Sequence, residues 1–456
     1  MALETTAVRR GARFAGPLPG RLFATTLAVA AAMGLLLGRF VLAGSTSAQP
    51  APRAGATAAT DTAGTIARLQ RQLRTGPDDP SLLADLGVAD LTRARETADP
   101  GFYTQAAQAL ERSQALAPDQ SRTMTALGLL ALARHDFAAA LDWGERAHAL
   151  EPDSADPLGV VVDASVEQGR YQEATAAAQQ MVDRRPSLAS LSRASYLREL
   201  HGDQSGALAL MTQAAAAGSG SAADLAYVQA LVGDLRLGRG DLAGATVAYR
   251  RTLATAPGYG PAEVGLARVE GARGDLAGAA RRLEPVADRL PFPATVALLG
   301  DLYGALGRGG DAARQYDLVH TIEELNRANG VAVDLELARF DADHARDPGG
   351  DPAAVVALAR TALVQRPTVF AQDALGWALR QAGRPADALP HARAAVALGT
   401  RDAILWYHLA AVEADLGQRA QAGADLARAF AINPYLTVRD RPAARDLAGR
   451  LGVPLP

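Results

Sequence analysis

The chain has 456 residues and a formal net charge of −3, with 49% hydrophobic residues, 5% aromatic residues and no cysteine. It also lacks lysine, so all 46 residues of its Lys+Arg total are arginine. Disulfides, thiolate nucleophiles, thiolate-ligated zinc, Schiff-base lysines and phosphate-loop lysines are thereby excluded.

In chain order, Arg9, Arg10, Arg13 and Arg21 precede a nearly continuous apolar run over residues 22–44, broken by Arg39. At 1.5 Å per residue such a run reaches roughly 34 Å, enough for a bilayer core of about 30 Å. It is expected to be one N-terminal transmembrane helix. Because arginines stay on the cytoplasmic side, residues 1–21 are then a basic cytoplasmic N-terminus and the rest is exported. The alternative is a signal peptide cleaved near Thr46-Ser47-Ala48, which leaves a secreted protein. Residues 45–64 are rich in Ala, Thr, Pro, Gly and Ser, too poor in large apolar side chains to offset ordering entropy, and read as a flexible linker. The segment before residue 45 holds five Arg and Glu4, so the remainder carries 41 Arg against 48 acids. A mildly acidic body argues against nucleic acid as a partner.

From residue 65 to 436 a beat takes over. Pro118, Pro152 and Pro186 are spaced by 34, as are Pro257 and Pro291, and Pro434 lies 67 after Pro367. Each closes an Ala-rich amphipathic stretch. A period of this length means stacked helical hairpins that bury their apolar faces against neighbours. In the unit from Ser121 to Ser154, Gly128 and Ala131 on the first helix and Ala140, Gly144 and Ala147 on the second remove bulk where two helices cross. Between the helices stands Gly followed by a polar residue: Gly169-Arg170, Gly202-Asp203, Gly240-Asp241, Gly274-Asp275, Gly307-Arg308, Gly383-Arg384 and Gly417-Gln418. Glycine there ends a helix in the left-handed conformation at little cost.

The pattern resembles the tetratricopeptide repeat, in its bacterial membrane-anchored form. The resemblance implies an all-α, right-handed solenoid of about nine hairpins, closed by a capping helix within residues 437–456. Two departures stand out. The first hairpin, Pro80 to Pro118, is stretched by about seven residues at Glu96 to Tyr103. The segment Asp317 to Pro367 is degenerate, with a long helix expected to reach Arg346.

Chemistry is sparse. The seven histidines show no metal spacing, and no nucleophile elbow or phosphate loop appears. Asp341, Asp343, His344 and Asp347 are the nearest approach to a ligand group, and they read better as a hydrophilic helix end. No catalytic residue, metal or cofactor is expected. The resemblance instead implies a concave groove lined by the inner face of each first helix. On this chain those positions are Asp156, Asp163, Tyr196, Tyr227, Asp234, Arg268, Asp301, Asp373, Trp377, Arg380 and Tyr407. Trp406, one place over, is expected in the core. The Lys/Asn clamp by which some members of the family grip a chaperone's C-terminal carboxylate is absent. The reading is a membrane-anchored interaction scaffold that takes a peptide or protein in its groove. An enzyme or carrier with its site in segment 317–367 is the alternative.

Overall fold

The computed structural model describes residues 62–76, 78–217, 222–347 and 349–455. These form 22 α-helices. A leading helix α1 (Thr62–Thr75) is followed by hairpins α2 (Pro80–Thr97) with α3 (Gly101–Leu116), α4 (Ser121–Ala133) with α5 (Phe137–Leu150), and α6 (Asp156–Glu167) with α7 (Tyr171–Arg184). Next come α8 (Leu188–Leu200) with α9 (Gln204–Ala216), α10 (Ala222–Gly238) with α11 (Leu242–Thr255), and α12 (Gly260–Ala272) with α13 (Leu276–Arg289). The second half holds α14 (Pro293–Ala305) with α15 (Gly309–Ala328), and α16 (Asp334–His344) with α17 (Pro352–Gln365). Then come α18 (Val369–Gln381) with α19 (Pro385–Ala395), and α20 (Ala403–Asp415) with α21 (Arg419–Ile432), before the end helix α22 (Asp440–Leu451).

Ten helical pairs thus replace the expected nine or so. In the degenerate segment, expected as one modified repeat, the long helix expected to reach Arg346 is two helices, α15 and α16. Gly330, at φ 79°, turns the chain between them. The stretch in the first hairpin is absorbed by helix length, since α2 has 18 residues and α3 has 16. Helix α1 begins inside the segment read as a linker. The apolar run at 22–44 lies outside the described residues, and no described helix is long and apolar enough to cross a membrane.

Local chemistry explains the hairpins. At Gly202-Asp203, Gly240-Asp241 and Gly274-Asp275 the aspartate is the N-cap of the second helix and accepts the N–H of Gly206, Gly244 and Gly278 respectively. An Asp cap of this kind contributes about 1 kcal/mol. Where Arg takes that place, it pairs with an acid three residues on: Arg170 with Glu173, Arg308 with Asp311 and Arg384 with Asp387.

The coil also closes on itself. The turns inside the early hairpins lie against the links between the late ones, at separations of 196 to 200 residues. That offset is close to six repeats, so a second superhelical turn is laid on the first. His135 Nδ1 is 2.7 Å from the Ala332 carbonyl, and the Ala332 N–H donates to Arg134 O. The Gln168 amide donates to Gln365 O at 3.2 Å, and the Val369 N–H donates to the Tyr171 hydroxyl at 3.0 Å. Further along, Thr400 donates to Leu200 O at 2.6 Å and Asn433 to Leu237 O at 3.0 Å. Gly169 and Gly202 carry the tightest approaches. Their φ values are 66° and 78°, and a Cβ on them would sit 2.5 Å from Pro367 O and 2.3 Å from Gly399 O.

Candidate functional site

One buried ion network holds the seam. Arg366, 3% exposed, donates from Nε and Nη2 to Glu167 Oε2 at 3.1 and 2.8 Å, and from Nη1 to Glu336. Its guanidinium lies 4.8 Å over the Phe137 ring, on whose other neighbour, His135, the ring stacks at 5.6 Å. Glu167 belongs to the first turn of the coil and Glu336 to the second, so one arginine ties both. Burial pulls the Arg366 guanidinium down, but the two carboxylates outweigh it and hold its pKa above the ordinary arginine value.

Beside this network a cavity of about 190 Å³ opens on the inner surface. That is space for on the order of ten waters. Its walls come from α12, α14, α15 and α16, with Phe370 of α18 and the segment 436–441 that precedes and begins α22. The segment is laced to the walls. Arg439 Nε donates to Asp343 O at 2.9 Å, and its Nη2 reaches both Asp347 oxygens at 2.8 and 2.9 Å. Arg441 donates to the carbonyls of Tyr435 and Ala272 at 2.6 and 3.3 Å. Asp301 accepts from the Tyr316 hydroxyl at 3.0 Å, and its Oδ1 is 3.1 Å from His344 Nε2. Burial pulls the His344 imidazole down, but the Asp301 carboxylate outweighs it and raises the pKa. Burial pushes two carboxyls on the cavity wall up to about 7: Glu323, and Asp343, which Asp440 raises further.

A second, smaller pocket adjoins it, lined by Asp343, Asp373, Trp377 and His408. The His408 ring stacks on Trp377 at 3.8 Å, and its Nδ1 is 2.9 Å from Asp373. Burial lowers the His408 pKa, and Asp373 more than compensates.

The structure divides the positions read as groove. Arg268 and Asp301 line the large cavity, and Asp373 and Trp377 the small one. Asp163 is buried in a bidentate pair with Arg193 of α8, at 2.9 and 2.7 Å. Tyr196, Tyr227 and Tyr407 are buried among apolar neighbours, as is Trp406. Asp156 is half-buried, and Asp234 accepts from the Tyr249 hydroxyl at 2.8 Å. Arg380 lies over Trp377 and pairs with Asp415 at 2.8 Å. The histidine and acids of segment 317–367 disperse: Asp347 goes to Arg439, His344 to Asp301, and Asp341 to His320 at 3.5 Å. Among the described residues no group of three or more His, Asp or Glu is arranged to hold a metal. Arg339, Glu323 and the 436–441 segment were not anticipated. Arg339 follows the degenerate break, which hid its place on the inner face.

Antiparallel hairpins, a 34-residue repeat, small residues at helix crossings and proline at the end of the second helix decide the architecture. This is a tetratricopeptide-type solenoid. Family models and curated protein sequences give no match to the chain. Solved structures do resemble it. A thermophilic TPR protein of Thermus thermophilus is 20% identical, over 42% of this chain and 98% of that one, with a TM-score of 0.38. A chain of the APC/C hetero-tetramer Cut9-Hcn1 is 15% identical over 86% and 90%, with a TM-score of 0.38. Human IFIT1, solved as a dimer with m7Gppp-AAAA, is 11% identical over 74% and 86%, with a TM-score of 0.44. Such likenesses concern the helical-repeat fold alone.

Proposed function

We propose that this tetratricopeptide-type solenoid is a membrane-tethered scaffold that holds a protein or peptide partner outside the cytoplasmic membrane, through a segment reaching its inner surface. The observation that carries the reading is the inner cavity, where Arg268 and Asp301 stand beside an apolar wall. A stacked-repeat body needs no catalytic residues to do this work; it needs a stiff surface with pockets, and the seam supplies stiffness. The tether rests on the apolar run at 22–44 and the arginines before it.

Two measurements test it. A photo-crosslinking residue at position 268 should capture a partner in native cells, whereas the same residue at the exposed outer position 251 should not. Equal capture at both positions, or none at 268, counts against the inner surface. A reporter enzyme active only outside the cytoplasm, fused after residue 64, should be active; cytoplasmic activity overturns the topology. N-terminal sequencing of the mature protein separates the tethered form from a secreted one.

A further inference from the structure

The large cavity has a charge balance that its lining alone does not make obvious. Its walls are mainly apolar, with Ala267, Ala297, Leu298, Leu335, Phe340 and Phe370 among them. Into it face Arg268 of α12 and Arg339 of α16. Neither guanidinium makes a hydrogen bond or a close ion pair among the described residues; Arg339 has the Phe370 ring at 5.4 Å and only the longer-range field of the Asp402 carboxylate. A third arginine on the wall, Arg441, is satisfied by backbone carbonyls, which leave its charge uncompensated, and its Nη2 is buried without a partner.

The acids on the wall do not cancel these charges. Glu336 is committed to Arg366, and Asp301 shares its charge with His344 and lies 4.0 Å from Arg439. Glu323 and Asp343 have pKa values pushed up to about 7 by burial, so both are substantially protonated at neutral pH. A surplus of positive charge is left in an apolar chamber, where the low local dielectric strengthens any anion's attraction and makes unpaired arginines costly.

We propose that this cavity is a binding site for a small anionic amphiphile: a carboxylate or phosphate monoester head held by Arg268 and Arg339, on an aliphatic body against the apolar wall. The planar guanidinium fork matches the oxygens of either head group, and the apolar lining with few polar groups is the usual build of a small-molecule site. The inference goes beyond the scaffold reading and stands without it, since it uses the cavity's own chemistry and no protein partner.

The test uses the full chain in lipid nanodiscs, titrated calorimetrically with octanoate, octyl phosphate, octanol and octyltrimethylammonium, with empty nanodiscs subtracted. One saturable site is expected for octanoate or octyl phosphate, at least tenfold tighter than for octanol, with none for the cation. The tighter of the two anions identifies the source as a carboxylate or a phosphate ester. Arg268→Gln and Arg339→Gln should each weaken the anion by about tenfold, and Ala297→Trp should abolish the site by filling it. The two glutamine changes remove no core packing, so they report even where the tryptophan variant fails to fold. Binding of octanol as tight as octanoate, unchanged affinity in both glutamine variants, or no saturable binding overturns the proposal. Crosslinking at position 268 reads the scaffold separately.

Discussion

The arginine that ties the two turns of the coil gives the sharpest energetic test. Replacing Arg366 by Met keeps an unbranched apolar stem but removes the guanidinium and strands two carboxylates. Glu167 and Glu336 are 2% and 8% exposed, and the first has its hydrogen bonds from Arg366. Glu336 retains its own backbone N–H and His135, whose Nδ1 is 3.6 Å away. Removing one partner of a buried ion pair costs about 3–5 kcal/mol, because the remaining charge is left without water or a counter-ion. Arg366→Met should therefore lose on the order of 4 kcal/mol. The triple change Glu167→Leu, Arg366→Met and Glu336→Leu should recover most of that loss, since no charge is then buried. Urea unfolding followed by helical circular dichroism measures both, and small-angle scattering reports whether the seam opens. A loss below about 1 kcal/mol for the single variant, in the range of an exposed surface pair, refutes the account. So does a triple variant less stable than the single one.

Gly202→Ala should cost clearly more than Gly307→Ala. Both glycines are left-handed, at φ 78° and 75°, but a Cβ at 202 meets the Gly399 carbonyl at 2.3 Å and one at 307 meets nothing within 4 Å. The conformation alone costs roughly 1–2 kcal/mol, so comparable thermal unfolding shifts in the two variants would deny the seam its tight packing. Stability should also fall between pH 5.5 and 8.5. Glu323 and Asp343 have folded values of about 7, above the ordinary carboxylate range, so the folded chain keeps protons that the unfolded chain has released. Stability is then greatest on the acid side and declines as pH rises through 7, by up to about 1.4 kcal/mol per unit per group. His344 and His408 act in the same sense: their raised values add stability below the usual imidazole range that is lost as pH climbs past them. Urea midpoints at the two pH values check this, and Glu323→Gln should flatten the slope; a midpoint rising with pH would contradict it. Asp241, whose value is lowered first by the Gly244 N–H, is already ionised across this window and contributes no slope.

Much of the fold was readable because its causes are local. Proline beyond the second helix, left-handed glycine in the turn and an aspartate cap each act within a few residues, so their spacing alone marks the hairpins. The seam has no such mark. Gly169 and Gly202 look in sequence like Gly274 and Gly307, yet the first two face another turn of the coil and the others face solvent. The groove positions were assigned as though the inner surface were open. In a coil this tight, Tyr196, Tyr227 and Tyr407 become interior packing, while Asp163 and Asp373 are claimed by Arg193 and His408. The break at Gly330 was missed because its cause is distant: the strand of chain at Val331-Ala332 is shaped to meet Arg134 and His135.

The offset of 196 to 200 residues between seam partners also limits how such an array can change in length. A straight stack of repeats tolerates the duplication or loss of one unit, because each unit answers only to its neighbours. Here, one hairpin added or removed between α11 and α15 would set every early turn opposite the wrong late link. Gly169 would no longer face Pro367, nor Glu167 reach Arg366. Repeat number is therefore under the same constraint as strand register in a closed barrel, and drift by single units is closed to this coil.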